Sequence, residues 1–456
     1  MNVYDSEVAS GLLEQAGFEI VQDCHSERSE ESMSRDPSAT NQPQDDKADV
    51  YLMNTCSVRE HAEDKVYSRL GMLSKIKKTR PEMIIGLMGC MVEEHREKIF
   101  KRFPQLDLMV GTRNIKELPV LIEEVKQNRR QVARIKQDGI SIEYTDQIKR
   151  HGKFHAWLPI MTGCDKVCTY CIVPITRGSE VSMPAREVYK EASRLVEEGV
   201  QWITLLGQNV NSYRGGSNKL LPPLMGEEII SFPELLEMLC EIEGLKRISF
   251  TTSHPHDATE ELFQVIKRQP KISRRFHLPL QSGSNRILKR MKRLHAYEDY
   301  KLKIDRMREL IPDISITTDI IAGFSGEIEE DHQATMHALS EIRYDGAYIY
   351  KYSLRPATPA AKLPDDVPLE IKERRNHELL ALQKKITVEN SRQWIGKTVT
   401  AIVEEQSAKN LKNVIARTDQ DKKIVLEGDS SLVGQFVQIR LDDISHETFL
   451  GSLVSA

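Results

Sequence analysis

The chain has 456 residues, 39% of them apolar and 29% charged, with a formal net charge of −4 and seven cysteines. That length accommodates two or three domains with cores of their own, and no apolar run approaches the ~18 residues of a membrane-spanning helix. The slight negative charge excludes binding of nucleic acid by bulk electrostatics, and the cysteines are too few for a disulfide framework in a chain of this size.

The opening "MNVYDSEVASG" is polar and acidic, unlike a secretory or transit signal, so a cytoplasmic protein is expected. The chain starts directly in a helical stretch, "VYDSEVASGLLEQAGF". Residues 22–47 are rich in Ser, Asp, Glu, Gln and Pro, have little to bury, and read as a disordered insertion. "ADVYLMNTC", "PEMIIGLMGC" and "LDLMVGT" then read as short buried strands, separated by the amphipathic stretches "SVREHAEDKVYSRLGMLSKIKK" and "VEEHREKIFKRF". Such alternation predicts a doubly wound parallel α/β domain over residues 1–145, from which the first strand is missing.

From residue 146 to about 390 the strand candidates are "LPIM", "QWITLLG", "RISFTTS", "RFHLPL", "ISITTDIIAGF" and "AYIYKYS", with helical stretches between them. Six βα-type units predict a partial (β/α)6 barrel whose chemistry lies at the C-terminal ends of its strands. Gln208, Asn209, Ser253, His254, Gln281, Asp319, Ser353 and Arg355 gather there. A charged helix leads into residues 393–456, whose short β-rich runs read as a small antiparallel barrel.

"MTGCDKVCTYCIVPITRG" places Cys164, Cys168 and Cys171 in a C-x3-C-x2-C pattern directly after the first barrel strand. Structural zinc sites and ferredoxin-type clusters take four protein ligands. His151 and His155 lie upstream, so a Cys3His zinc site stays open on composition alone. Three thiolates on a four-iron cluster would instead leave one iron for the amino-acid end of S-adenosylmethionine.

The loop, with aromatic Tyr170 before its last cysteine, resembles that of the radical S-adenosylmethionine enzymes. "CDKVCTYCIVPITRG", "LLGQNVNSY", "TTSHP", "HLPLQSGS", "TTDIIAGFSGE" and "YSLRPATPA" resemble, in order, the motifs of the methylthiotransferase family within that group. "NTCSVRE" and "GLMGCMVE" are similar to its N-terminal domain, and the last segment to its TRAM domain.

This resemblance implies two [4Fe–4S] clusters. One is held by Cys164, Cys168 and Cys171 and binds S-adenosylmethionine. The auxiliary one uses Cys56 and Cys90, with a third cysteine that would precede "MN", so the true start is expected upstream. Cys24, in the insertion, is no convincing substitute, and Cys240 reads as a core thiol. "GQNVNSY" and "YSLRPATPA" look most like the branch that methylthiolates N6-isopentenyladenosine, 3′ of the tRNA anticodon. Carbon C2 of that adenine has no acidic proton, so a radical from the cofactor is needed. The implied partners are the anticodon stem-loop, a flavodoxin or ferredoxin as electron donor, and an unidentified sulfur donor. The rival readings are a relative acting on threonylcarbamoyladenosine or on a ribosomal protein, and an inactive RNA-binding homologue.

Gly207, Gln208 and Asn209 end a strand, where they could contact the cofactor or form a plain turn. His254 and His277 could be pocket residues or satisfied core histidines, and Arg355 could meet an anion or a structural partner. Gly323 and Gly326 give a tight turn in "GFSGE". "RILKRMKR" concentrates five cations in eight residues and modestly favours an RNA role. From Gln393 on there are nine acids against seven bases, so RNA binding there rests on resemblance, with local patches such as Lys409, Lys412 and Arg417.

Overall fold

The computed structural model describes residues 1–21, 48–55, 60–96, 98–135, 144, 148–150, 152–215 and 229–454. The insertion expected at 22–47, with Cys24, lies outside them, as do Cys56 and His151. Two compact units divide the chain: Met1–His151 with Ile175–Arg177, and Gly152–Pro174 with Gly178–Ala456.

In the first unit β1 (Val50–Thr55), β2 (Ile84–Gly89), β3 (Leu108–Val110) and β4 (Val132–Arg134) form a parallel sheet in that order. Strand β2 is buried along its whole length and alternates between two cores. Ile84 and Met88 pack with Val8 and Leu13 of α1 (Asn2–Gln15) and Leu121 and Val125 of α5 (Leu118–Asn128). Ile85 and Leu87 pack with Leu70 and Leu73 of α2 (Glu60–Lys77). Helices therefore cover both faces, as parallel strands require.

The expected helix after β2 splits into α3 (Cys90–His95) and α4 (Lys98–Arg102), because Arg96 turns to φ 45° and ends the first. Strand β4 was not anticipated; three residues with only Val132 buried carry no readable period.

The second unit holds six parallel strands: β5 (His155–Pro159), β6 (Trp202–Leu206), β7 (Arg247–Phe250), β8 (Arg275–His277), β9 (Ser315–Ala322) and β10 (Gly346–Lys351). They are ordered in space as in sequence, with a bridge from Ile248 to Ile272 joining the two halves. Among the described residues β5 and β10 do not pair, so the barrel stays open. Strand β5 begins three residues before the expected "LPIM", and Met161–Thr162 turns away to pair with Val181–Ser182.

After a 24-residue helix, Leu369–Arg392, five strands close a small barrel: β11 (Thr398–Gln406), β12 (Asn413–Thr418), β13 (Lys423–Glu427), β14 (Phe436–Ser445) and β15 (Thr448–Leu453). Four pairings are antiparallel as expected; the fifth, Ile424–Leu426 with Phe449–Gly451, is parallel.

The turn between β12 and β13 docks on the N-terminal ends of the open barrel. Arg247, the first residue of β7, meets Asp419 at 2.6 Å, Arg275 of β8 meets Asp421 at 2.8 Å, and Lys422 meets Asp345 at 3.0 Å. No described helix is long and apolar enough to cross a membrane.

Candidate metal centre

The three cysteines sit in the loop that leaves β5, at the C-terminal mouth of the open barrel. Backbone bonds pin this loop: Cys164 N–H to Gly178 O at 3.1 Å, Thr169 N–H to Met291 O at 2.9 Å, and Ala360 N–H to Thr169 O at 2.8 Å. Gly163 N–H donates to the Gln208 side chain. Lys166 reaches Asp257 at 2.7 Å, and Asn209 Nδ2 donates to the same carboxylate at 2.8 Å. Gln208 and Asn209 thus act first on the loop and its anchor. Gly207 is a close-approach residue, since a Cβ there would lie 2.4 Å from Met161 Cγ.

Burial pushes the Cys164 thiol up to about 11 and the Cys171 thiol up to about 12. Neutral thiols are the resting form of such a pocket, and a metal must displace their protons. Among the described residues, the one trio of His, Cys, Asp or Glu ligand atoms lying within 4.8 Å of one another is Glu63, Glu94 and His95. The three sulfurs are therefore spread more widely than the S···S distance of about 3.8 Å in a tetrahedral site with Zn–S near 2.3 Å. As placed, these three thiols do not preform a tetrahedral zinc site.

His155 is excluded as a fourth ligand. It opens β5 at the far end of the strand, its ring tilted against that of Trp202 with centroids 4.1 Å apart and bonded to Thr204 Oγ1 at 2.9 Å. Burial lowers its pKa to about 3.

His254 does belong to the site: its Nε2 lies 3.9 Å from Cys168 Sγ. Burial, then the charge of Arg293, pushes its imidazole far below the usual range and keeps it neutral. His277 is a satisfied wall residue, bonded to Thr317 Oγ1 at 3.0 Å and 3.4 Å from Asp319. Tyr170 packs edge-on against Phe324 and beside Ile287, Met291 and Tyr352, so its ring serves the core under the loop. Arg355 is buried, and its carbonyl accepts from Thr358. Burial also raises Cys240, at a helix end away from the loop, to about 11.

Two expectations about RNA change. In "RILKRMKR", Arg286 pairs with Asp331, Arg290 bonds Ser325 Oγ at 3.1 Å, and Arg293 donates to Cys168 Sγ at 3.4 Å, which leaves Lys289 and Lys292 exposed. In the small barrel Arg417 is tied to Glu404 at 2.6 Å and Asp421 at 3.0 Å, whereas Lys409 and Lys412 are exposed. Arg293 lies 125 residues from Cys168 in sequence, and no local pattern signals their contact. Lys166 and Asp257 are likewise 91 residues apart, and no local pattern signals their pairing.

In the first unit Cys90 is buried at the start of α3, beside Arg177, whose guanidinium pairs with Asp5 at 2.7 Å. Gly89, at φ 100°, comes so near β1 that a Cβ would lie 2.4 Å from Thr55 O. A side chain there would push the end of β2 off the end of β1.

Family models match this architecture piece by piece: "Radical SAM superfamily" over residues 158–339, "TRAM domain" over 392–454, and "Uncharacterized protein family UPF0004" over 24–111. A protein of Carboxydothermus hydrogenoformans described as tRNA-2-methylthio-N(6)-dimethylallyladenosine synthase is 39% identical over 97% of this chain and 94% of its own length. The chain belongs to the methylthiotransferase family of radical S-adenosylmethionine enzymes. Proteins with the same description from Dictyoglomus thermophilum and Pelotomaculum thermopropionicum are 38% and 40% identical, over 100% and 96% of this chain and 96% and 92% of theirs. Membership implies a [4Fe–4S] cluster and S-adenosylmethionine, and the donor set of the Cys164 loop is of the right chemistry for the cluster.

Proposed function

We propose that the enzyme converts N6-(dimethylallyl)adenosine at position 37 of tRNA to its 2-methylthio derivative in the cytoplasm. What carries this reading is the likeness to synthases of that description over essentially the whole chain, joined to a partly buried three-cysteine loop at the mouth of an open barrel. Cys164, Cys168 and Cys171 would hold the [4Fe–4S] cluster, which when bound supplies the electron and the open iron for radical cleavage of S-adenosylmethionine.

The chain's own residues set the stage. Gln208, by accepting from Gly163, keeps the loop closed on the end of β6. Asn209 and Lys166 share Asp257 and so tie the loop to the end of β7. Tyr170 supports the loop from below, and together these residues would border the cofactor. Cys90, with Cys56, would hold an auxiliary cluster that delivers sulfur; burial and the adjacent Arg177 cation suit an anionic group there.

The work would divide among an N-terminal domain over 1–145, a radical core over 146–390 and an RNA-binding module over 393–456. A flavodoxin or ferredoxin would be the electron donor. The base must leave its stack to reach the core, which an anticodon loop permits. Mass analysis of tRNA nucleosides tests the reading. A strain lacking the gene should lose 2-methylthio-N6-dimethylallyladenosine and regain it on complementation; an unchanged nucleoside profile would overturn it.

A further inference from the structure

The three sulfurs of the loop have different surroundings. Cys164 Sγ accepts from the backbone of Lys166, and Cys171 Sγ from the backbone of Val173. Cys168 Sγ instead faces two side-chain donors, Arg293 Nη1 at 3.4 Å and His254 Nε2 at 3.9 Å.

Both donors are held in place. Arg293 Nη2 donates to Pro279 O at 2.7 Å, which stops the guanidinium fork from turning. His254 exchanges two hydrogen bonds with the side chain of Asn211, both at 3.0 Å, one from its N–H and one to its C=O. Its Nδ1 accepts from His256 N–H at 3.2 Å, so the ring proton resides on Nε2 and points at the sulfur.

Arg293 is only 8% exposed. Among the described residues no carboxylate pairs with it, and the titratable groups that act on it are the Tyr170 phenol, which burial keeps neutral, and the thiols of Cys168 and Cys171. A buried guanidinium cannot give up its proton, and an uncompensated buried charge is costly. The arrangement makes sense when the sulfurs become anionic, as they do on binding iron.

We propose that Arg293, seconded by His254, is the charge-positioning residue of this centre and raises the reduction potential of the cluster by stabilising added negative charge at its Cys168 corner. The inference rests on the reading that Cys164, Cys168 and Cys171 hold that cluster. The step concerned is the gain of one electron from a low-potential one-electron donor, taking the cluster from the 2+ to the 1+ state. No bond forms or breaks and no proton leaves Arg293. A fixed cation beside the ligand sulfur favours the more negative state, and a water-poor setting enlarges the effect. Cys164 and Cys171 accept from the backbone, and the charges of Lys166 and Arg293 reach them through space without a side-chain hydrogen bond.

The test is an anaerobic redox titration, with dithionite as reductant, of the reconstituted full chain carrying Cys56→Ala and Cys90→Ala, followed by electron paramagnetic resonance. At the midpoint of that parent the reduced and oxidised forms are equal. In Arg293→Met the ratio of reduced to oxidised should fall at least about tenfold, which is about 59 mV for one electron. Arg293→Lys should stay within about threefold of the parent, and His254→Leu should shift the same way as Arg293→Met but less. If Arg293→Met fails to retain iron, Arg293→Gln, neutral but able to donate to both partners, carries the same expectation. An iron-replete neutral variant that titrates with the parent overturns the proposal. Loss of the signal on replacing Cys164, Cys168 and Cys171 with Ala checks the underlying ligand assignment separately; survival of the signal would defeat that assignment instead.

Discussion

Asp419→Ala should loosen the small C-terminal barrel from the base of the open one. The carboxylate stands 2.6 Å from Arg247 Nη2, and Arg247 is 2% exposed, stacked between Trp202 and Phe436 with 5.3 Å to each ring. Removing one partner of a fully buried pair costs about 3–5 kcal/mol. Here Asp419 is 35% exposed, so water can take its place in part, and Arg247 Nη1 keeps its bond to Arg417 O at 3.2 Å. Both reduce the loss to about 2 kcal/mol, which at about 1.4 kcal/mol per decade is about 30-fold in a local opening equilibrium.

A global melt of several domains does not isolate that term, whereas hydrogen exchange does. Amides of the β12–β13 hairpin should exchange about 30-fold faster, with those of β6 and β9 unchanged. Adding Arg247→Met, which removes the stranded charge, should restore much of the protection. Unaltered exchange in the hairpin, or equal acceleration along the whole chain, would refute the account of this interface.

Cys168→Ser should cost about four irons per chain, and Cys240→Ser none, when iron is counted after anaerobic reconstitution. Burial, reinforced by Asp165 and Asp257, lifts the Glu180 carboxyl to about 7. The folded state therefore binds that proton more tightly than the unfolded chain, and its contribution is lost as pH rises from the ordinary carboxylate range through about 7. Glu180→Gln should gain thermal stability relative to the native chain between pH 5 and pH 8, and a pH-independent difference between the two would contradict this. Lys409→Ala with Lys412→Ala should weaken tRNA binding and lower the slope of log affinity against log salt by about 1–2. Arg417→Ala should act on domain docking, visible as faster exchange of the β12–β13 hairpin.

The α/β alternation, the six-strand series and the C-terminal barrel were legible because each has a short period that local burial enforces. Strand β2 shows how: its continuous apolar run serves two cores at once, so the pattern survives in sequence. Strand β4 is not legible because three residues hold no period, and the pattern after β2 predicts one unbroken helix because nothing in "VEEHREKIFKRF" announces the positive φ of Arg96.

The thiols of the Cys164 loop were equally plain, since their spacing is local chemistry. Their environment was not. His155, near in sequence, is at the wrong end of its strand, while His254 and Arg293, 86 and 125 residues from Cys168, meet its sulfur. The cations of "RILKRMKR" and Arg417 look alike as free charge, yet folding commits Arg286, Arg290 and Arg293 to partners far along the chain, and Arg417 to Glu404 across the neighbouring strand and to Asp421 in the turn. By itself the sequence determined most of the elements, the six-strand series and the position of the three-cysteine loop, all set by neighbours within a few residues. Only the tertiary structure decided which charges surround that loop and which stay exposed, because electrostatic partners are chosen by distance in space and burial.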